Sequence, residues 1–487
     1  MTTNDRDRGL AGRIPVAEYR PAEIPETAGN PLIEALPLVL EADDARRALY
    51  RPVSQDPADR LRSPTERLML VDRAKDLYVP FYECIQLYID LGRAIRRGYA
   101  TRNIMDPNAV RFTYQLCGEN IDWSPVQTST TAGSCLVIGA SGCGKTTAIR
   151  RVLATYPQVI RHREYNGQKL NSVQVVWLHV DCPANASRKD LCLQFFQAVD
   201  NAIGTNYLDQ YGSARRSTEN LQIQMGRLAR VLNLGILVVD ELQNLSLART
   251  GGAKQFLAFL RSMVNVVGVP IVFVGTYGLA RILMGEFQVS RRMMDAGFVE
   301  FKRHERGSKA WKAFAQQLWR LQLIEGQDPF SVEIADTLYD MSQGIIDLAV
   351  RTFIRAQRWA IETGAATLSH RDLAAAGATQ GKPIRAQLEA LRLGDPVAMQ
   401  HYPDIAPPVG WRDWAVPLAG GQRSSGEQGA GEVLRPQTNT EGRDGGPGDD
   451  LPAPHMDPDH AIVEAQKTED PHGALGRQGL IADLDDL

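Results

Sequence analysis

Cysteine is scarce and scattered in this chain. The six cysteines, Cys84, Cys117, Cys135, Cys143, Cys182 and Cys192, lie among 487 residues, and no two form a C-x-x-C pair. That spacing excludes a zinc or disulfide framework and fits a reducing compartment. Long apolar runs are also lacking. None reaches the roughly eighteen residues of a membrane span, and Met1-Thr2-Thr3-Asn4-Asp5-Arg6 holds no apolar signal core. The expectation is a cytoplasmic protein without a membrane partner. No internal repeat is visible, and no zinc-finger spacing or base-reading helix can be picked out. Charge of one sign is missing as well, since the formal net charge is −3 with 23% charged residues.

That near-neutral total hides an asymmetry. Residues 441–487 hold 12 acidic and 3 basic side chains, a balance of −9, which leaves +6 for residues 1–440. A mildly basic body permits contact with nucleic acid. With 44% hydrophobic residues the chain has material for a sizeable core in two or three domains.

Taken in order, residues 1–60 are polar and Pro-rich and read as a mostly extended arm, partly ordered by contact with something else. Residues 61–109 form an N-terminal helical segment. Ser63-Pro64-Thr65-Glu66 is a helix start, and Pro80 opens a second helix with Ile85, Tyr88, Ile89 and Ile95 on one face. The turn Gly98–Asn103 feeds the next domain and is a candidate cover for a bound base. Residues 110–305 alternate strand and helix. The strands are expected at Cys135–Gly139, Val173–Asp181, Ile236–Glu241, Pro270–Thr276 and Phe298–Lys302. Near-continuous apolar strands such as Ile236-Leu237-Val238-Val239 indicate a parallel sheet covered on both faces, hence an α/β fold. Residues 306–380 are helical, with Trp311, Phe314, Leu318 and Leu321 at helical spacing. Residues 381–487 read as a largely disordered tail, Pro/Gly-rich and then acidic, closing on an amphipathic Leu480–Leu487.

The chemistry centres on Gly139-Ala140-Ser141-Gly142-Cys143-Gly144-Lys145-Thr146, a G-x-x-x-x-G-K-T loop between an apolar strand and a helix. The glycines let backbone N–H groups point at phosphate oxygens, and the helix start presents its positive end to the same anion. Gly139, Ser141, Gly142, Cys143, Gly144, Lys145, Thr146 and Thr147 are the candidate nucleotide-binding residues. Lys145 supplies a point charge for the β- and γ-phosphates, and the Thr146 hydroxyl suits Mg²⁺. A second motif, Gly235-Ile236-Leu237-Val238-Val239-Asp240-Glu241, is an apolar strand ending in Asp-Glu, the Walker B pattern. Asp240 would reach the metal, and Glu241 would polarise the attacking water. Thr276 ends the next buried strand, where ligands bind in open α/β sheets. Arg291 and Arg292 follow as candidates for a residue that reaches a neighbour's phosphates. Arg161, Arg163, Arg188, Lys189, Arg215 and Arg216 are candidate contacts to a DNA backbone, with solvated helix-face charge as the plain alternative.

In this order these features resemble AAA+ ATPases and, more narrowly, the TnsC/TniB group of transposon regulators. The narrower resemblance rests on Gly98-Tyr99-x-x-Arg102-Asn103, Tyr156–Ile160, Gln174–Leu178, Leu237–Asn244 and Ser342–Asp347. It implies an AAA+ domain followed by a small helical lid, with ATP and Mg²⁺ as cofactors. It implies a homo-oligomeric ring or filament on double-stranded DNA that links a target-selection protein of the TniQ/TnsD kind to transposase subunits. ATP hydrolysis would control assembly or disassembly. Thr276 would be sensor one, and Arg291 or Arg292 would act in trans. One position departs from the AAA+ pattern: three residues after Gly344 stands Asp347, where many lids carry an arginine, and Arg351 comes one turn later. Two other readings stand beside this one. One is an AAA+ ATPase of another class, a replication-initiator-like loader or a secretion-system ATPase. The other is a scaffold that binds ATP without turnover, against which Glu241 argues.

Overall fold

The computed structural model describes residues 14–411, apart from residues 23, 55, 118–129, 214, 249–251, 285–290 and 327. In chain order its strands are β1 (Ser134–Gly139), β2 (Val159–Tyr165), β3 (Gln168–Val175), β4 (Trp177–Asp181), β5 (Ile236–Asp240), β6 (Ile271–Gly275) and β7 (Gly297–Phe301). Five of them form a wholly parallel sheet in the order β4-β5-β6-β1-β7. Every residue of β1, β5 and β6 is buried. Helices cover the sheet, as those apolar runs require: Tyr82–Ala100 and Lys145–Leu153 pack on β1, and Arg188–Ile203 packs on β4.

The expected strand Val173–Asp181 is two strands in two different sheets. β3 ends at Val175, β4 begins at Trp177, and β3 pairs antiparallel with β2 as a separate hairpin. Its turn is Asn166-Gly167, with φ of 49° and 79°. Both values suit the primed turn that a two-residue hairpin needs. The Asn-Gly dipeptide was therefore a readable signal. An unbroken apolar run, by contrast, gives no mark where the chain passes from one sheet to another.

Two hydrophobic cores result. The larger surrounds the sheet and includes Leu136, Phe195, Phe196 and Phe273. The smaller gathers Trp311, Phe314, Leu318 and Phe353 of the helical region with Val71 and Ala74 of the N-terminal segment. Ser63 opens the helix Pro64–Leu70 with a complete capping box, worth about 1 kcal/mol. The segment 61–77 thus joins the smaller core, while Tyr78 and Tyr82–Ala100 join the larger one.

Both ends of the described chain are better ordered than their composition suggests. The arm holds the helices Pro31–Glu34 and Ala42–Leu49, and Leu32, Leu36, Ala45 and Leu49 are buried. It packs on its own chain: both helices lie on Tyr82–Ala100, Asn30 donates to the Tyr99 carbonyl at 2.9 Å, and the rest of the arm meets the hairpin. Val16 bridges Arg161, Tyr19 Oη lies 2.9 Å from His162 Nδ1, and Tyr165 donates to Glu34 at 2.8 Å. Beyond residue 380 the structure continues through the helices Arg385–Leu393 and Pro396–Met399 to a buried Trp411. Residues 381–411, within the segment expected to be largely disordered, thus carry two helices and a buried anchor. The rest of the tail, with Leu480–Leu487, lies outside the described residues, as do residues 1–13.

Candidate functional site

Strand order builds the site. Because β6 lies between β1 and β5, three adjacent strands end side by side. β1 delivers the glycine loop, β6 delivers Thr276, and β5 delivers Asp240 and Glu241. The loop turns at Gly142 and Gly144, with φ of 78° and 89°, values that L side chains rarely adopt. Lys145 then begins the helix Lys145–Leu153, whose first amides have no acceptor within the helix.

The charged groups are closely held. Lys145 is buried, and its Nζ donates to the carbonyls of Gly139 and Ala140 at 2.9 Å each. Burial pushes its pKa down. Thr146 donates its hydroxyl to Asp240 Oδ2 at 2.7 Å. Burial alone would raise the Asp240 carboxyl. The neighbouring His179 imidazole and hydrogen bonds from Thr146 and the Glu241 N–H outweigh it and hold the pKa below the usual range. His179 Nε2 stands 3.5 Å from the same carboxylate. Glu241 is exposed and sits at φ 57° at the strand end, a left-handed conformation rare for a non-glycine residue. Cys143, although inside the loop, is buried, and its thiol is pushed up to about 11. It is not a reactive thiol.

A cavity of about 330 Å³ opens over these groups. Its floor is polar: Ser141–Thr147, Asp240, Glu241, Gln243 and Thr276. Its roof is apolar and comes from the smaller core, through Leu77, Val79, Phe81, Phe314, Ile346 and Val350. The donor set fits Mg²⁺–nucleotide. A buried ammonium and free helix amides face one end, a hydroxyl–carboxylate pair of hard oxygens lies beside them, and an apolar slot faces the other end.

The structure brings together Ser141–Thr147, Asp240, Glu241 and Thr276; Gly139 stands behind them, its carbonyl accepting from Lys145, and other candidates lie outside this cavity. Gly98–Asn103 does not cover it. Arg102 bonds the carbonyls of Gly98 and Leu234, and a Cβ on Gly98 would lie 2.4 Å from the ring of Pro270. Leu234 and Pro270 precede β5 and β6, so this turn supports the opposite edge of the sheet. Arg291 and Arg292 are exposed and do not line the cavity. Arg163 and Arg215 are exposed. Arg161 sits in β2, Arg188 bonds Gln255 at 3.1 Å, and Arg216 stacks on Tyr211. Lys189 begins the helix beside Arg188 and is half-buried.

Three features were missed by sequence reasoning. Gln243 donates to the Glu241 carboxylate and accepts the Thr276 N–H at 3.2 Å, so it ties the ends of β5 and β6 together. Its place two residues after Glu241 was the available signal. The lid docks on the loop through backbone groups: Asp347 N–H donates to the Gly142 carbonyl at 3.1 Å, while its carboxylate pairs with Arg351 at 2.7 Å. Backbone contacts leave no mark in side-chain pattern. Asp404 reaches Thr276 from far along the chain, and nothing in its surroundings announced it.

Comparison with known proteins adds a family. Residues 127–283 match a family model described as an AAA domain. No curated protein matches the chain. Among solved structures, a Walker-type ATPase of Pyrococcus abyssi is 15% identical, with 54% of this chain and 71% of that one covered at a TM-score of 0.36. Cdc6p from Pyrobaculum aerophilum is 15% identical over 63% and 84%, TM-score 0.37. Drosophila ORC bound to DNA is 14% identical over 79% and 75%, TM-score 0.35. The match spans about a third of the chain and takes in the described strand–loop–helix Ser134–Leu153 and the strand Ile236–Asp240.

Proposed function

We propose that this chain hydrolyses Mg²⁺–ATP and uses the nucleotide to control its assembly on duplex DNA. The observation that carries the first half is the convergence of Lys145, the Thr146–Asp240 pair at 2.7 Å, Glu241 and Thr276 at three adjacent strand ends. The loop amides and Lys145 hold the phosphates. Thr146 and Asp240 hold Mg²⁺, which supplies charge neutralisation when bound. Glu241 accepts the proton of the attacking water at its carboxylate, Gln243 orients that carboxylate, and Thr276 donates toward the γ-phosphate. Arg291 or Arg292, exposed and away from their own cavity, act on a neighbouring copy.

The second half rests on the basic body and on the stretches shared with the TnsC/TniB group. In this reading the chain forms a ring or filament on DNA, through Arg161, Arg163, Arg188, Lys189, Arg215 or Arg216. It then links a target-selection protein to transposase subunits. The test is a titration of the full chain with duplex DNA at two salt concentrations, with ATP, with ADP and without nucleotide. Tight binding with ATP that weakens steeply with salt and tolerates any sequence is the expected result. Binding indifferent to nucleotide would remove the switch. Electron micrographs of the ATP-analogue mixture, showing rings or filaments rather than dispersed monomers, test the assembly.

A further inference from the structure

The segment 400–411 returns to the carboxyl edge of the sheet and is fastened at both ends. Arg281 donates to the Gln400 carbonyl. Trp411 is 1% exposed, donates from Nε1 to Glu300 at 3.0 Å, and meets Tyr277 and Phe298 edge-on. Ala406, between them, is fully buried. Within this strap Asp404 makes two contacts to the proposed phosphate site. Its backbone carbonyl accepts the Ser141 N–H at 2.7 Å, and its Oδ1 accepts the Thr276 hydroxyl at 2.9 Å.

Both contacts take up groups that a γ-phosphate would need. Ser141 is an amide of the glycine loop, and it is already bonded to the chain's own carbonyl. The Thr276 hydroxyl proton is directed at a carboxylate and so away from the phosphate. That carboxylate also acts on the Lys145 ammonium. Asp404 is itself solvent-exposed, so a second anion placed beside it meets like charge that water screens only in part.

We propose that Asp404 is a specificity-determining residue of the nucleotide site: held on Ser141 and Thr276, its carboxylate stands in for the γ-phosphate and selects against ATP relative to ADP. ADP ends one phosphate short of Thr276 and is compatible with the strap in place. ATP requires the Asp404 contacts to open, so the segment 400–411 sets the threshold at which the triphosphate is accepted. The proposal rests on the reading of this cavity as a nucleotide site.

The experiment titrates the full chain, with Mg²⁺, against fluorescent ADP and a fluorescent non-hydrolysable ATP analogue. D404N removes the charge but keeps an oxygen that can accept from Thr276, so the fold is retained. It is expected to tighten the ATP analogue at least about tenfold while ADP shifts by less than about twofold. W411A loosens the strap without touching the site and is expected to move the ATP-to-ADP ratio the same way. An unchanged ratio in D404N, or weaker ATP binding, overturns the proposal. K145A separates the two levels. Loss of both nucleotides in K145A together with an unchanged ratio in D404N sinks the strap and leaves the nucleotide site standing. Undiminished binding of both nucleotides in K145A sinks both.

Discussion

The floor and the roof of the cavity belong to different parts of the molecule, held by different forces. The floor is fixed by the sheet. Its charged groups sit at the ends of β1, β5 and β6, each buried along its whole length, and hydrogen bonds of 2.7–2.9 Å lock Lys145, Thr146 and Asp240. The roof belongs to a separate core centred on Trp311, Phe314 and Phe353, and it meets the floor through few direct bonds, such as Asp347 N–H to Gly142 O. The floor can therefore keep its geometry while the roof shifts. In the proposed reading the chemistry belongs to the floor, and any response to nucleotide belongs to the roof that is merely packed on it.

Variants of each part should fail in different ways. The largest effect is expected from K145A, which removes the phosphate-facing cation without creating a buried charge. Affinity for both nucleotides should fall about a hundredfold, with an unchanged melting temperature. Similar losses in both measurements would mean that the floor is not preformed. Next comes G139A. Its Cβ would lie 2.1 Å from the carbonyl oxygen of Phe301 on β7, so the sheet must open, at about 3 kcal/mol of stability in denaturant unfolding. Little change there would show that β7 yields readily.

Acid should act through two buried histidines, His162 in β2, whose pKa burial also pushes down to about 4, and His304 at the seam between the two cores. His304 meets Phe81 edge-on, 4.3 Å between ring centroids, and lies beside Trp311. Burial pushes its pKa from 6.5 down to about 4. Between those values the unfolded chain binds more protons than the folded one. Its contribution is thus complete above about pH 6.5 and is lost as pH falls toward 4, at most about 3 kcal/mol. H304F should flatten that slope in thermal melts, and an unaltered slope would place the acid sensitivity elsewhere. The smallest effect is expected from I346A in the roof, which removes apolar contact near the base end. ATP and ADP should weaken alike, by about tenfold or less. A loss confined to ATP would place Ile346 near the γ-phosphate instead.

Much of the floor was legible in the sequence. Loop glycines, Lys145, Thr146 and the Asp240-Glu241 strand end are fixed by local chemistry that repeats wherever phosphate meets a helix start. The parallel sheet was legible from its unbroken apolar strands. The roof was not, because Leu77–Phe81 and Ile346–Val350 carry ordinary apolar residues whose meeting is decided by tertiary packing. The same holds for Asp404. Residues 403–411 are rich in Pro with one Gly and a single charge, and such composition suggests disorder until a buried tryptophan fastens it. The arm carries little periodicity of its own, and its contacts to the hairpin and to the helix Tyr82–Ala100 are tertiary.

The central claim is that the floor hydrolyses ATP and that Glu241 acts on water while Lys145 and Asp240 act on nucleotide and metal. Phosphate release and fluorescent-nucleotide binding, measured side by side for the parent chain and E241Q, test it most directly. The account predicts turnover in the parent, ATP affinity within about threefold in E241Q, and turnover at least about a hundredfold slower. Equal turnover in the two proteins, or none in the parent under conditions where it binds ATP and DNA, would contradict it.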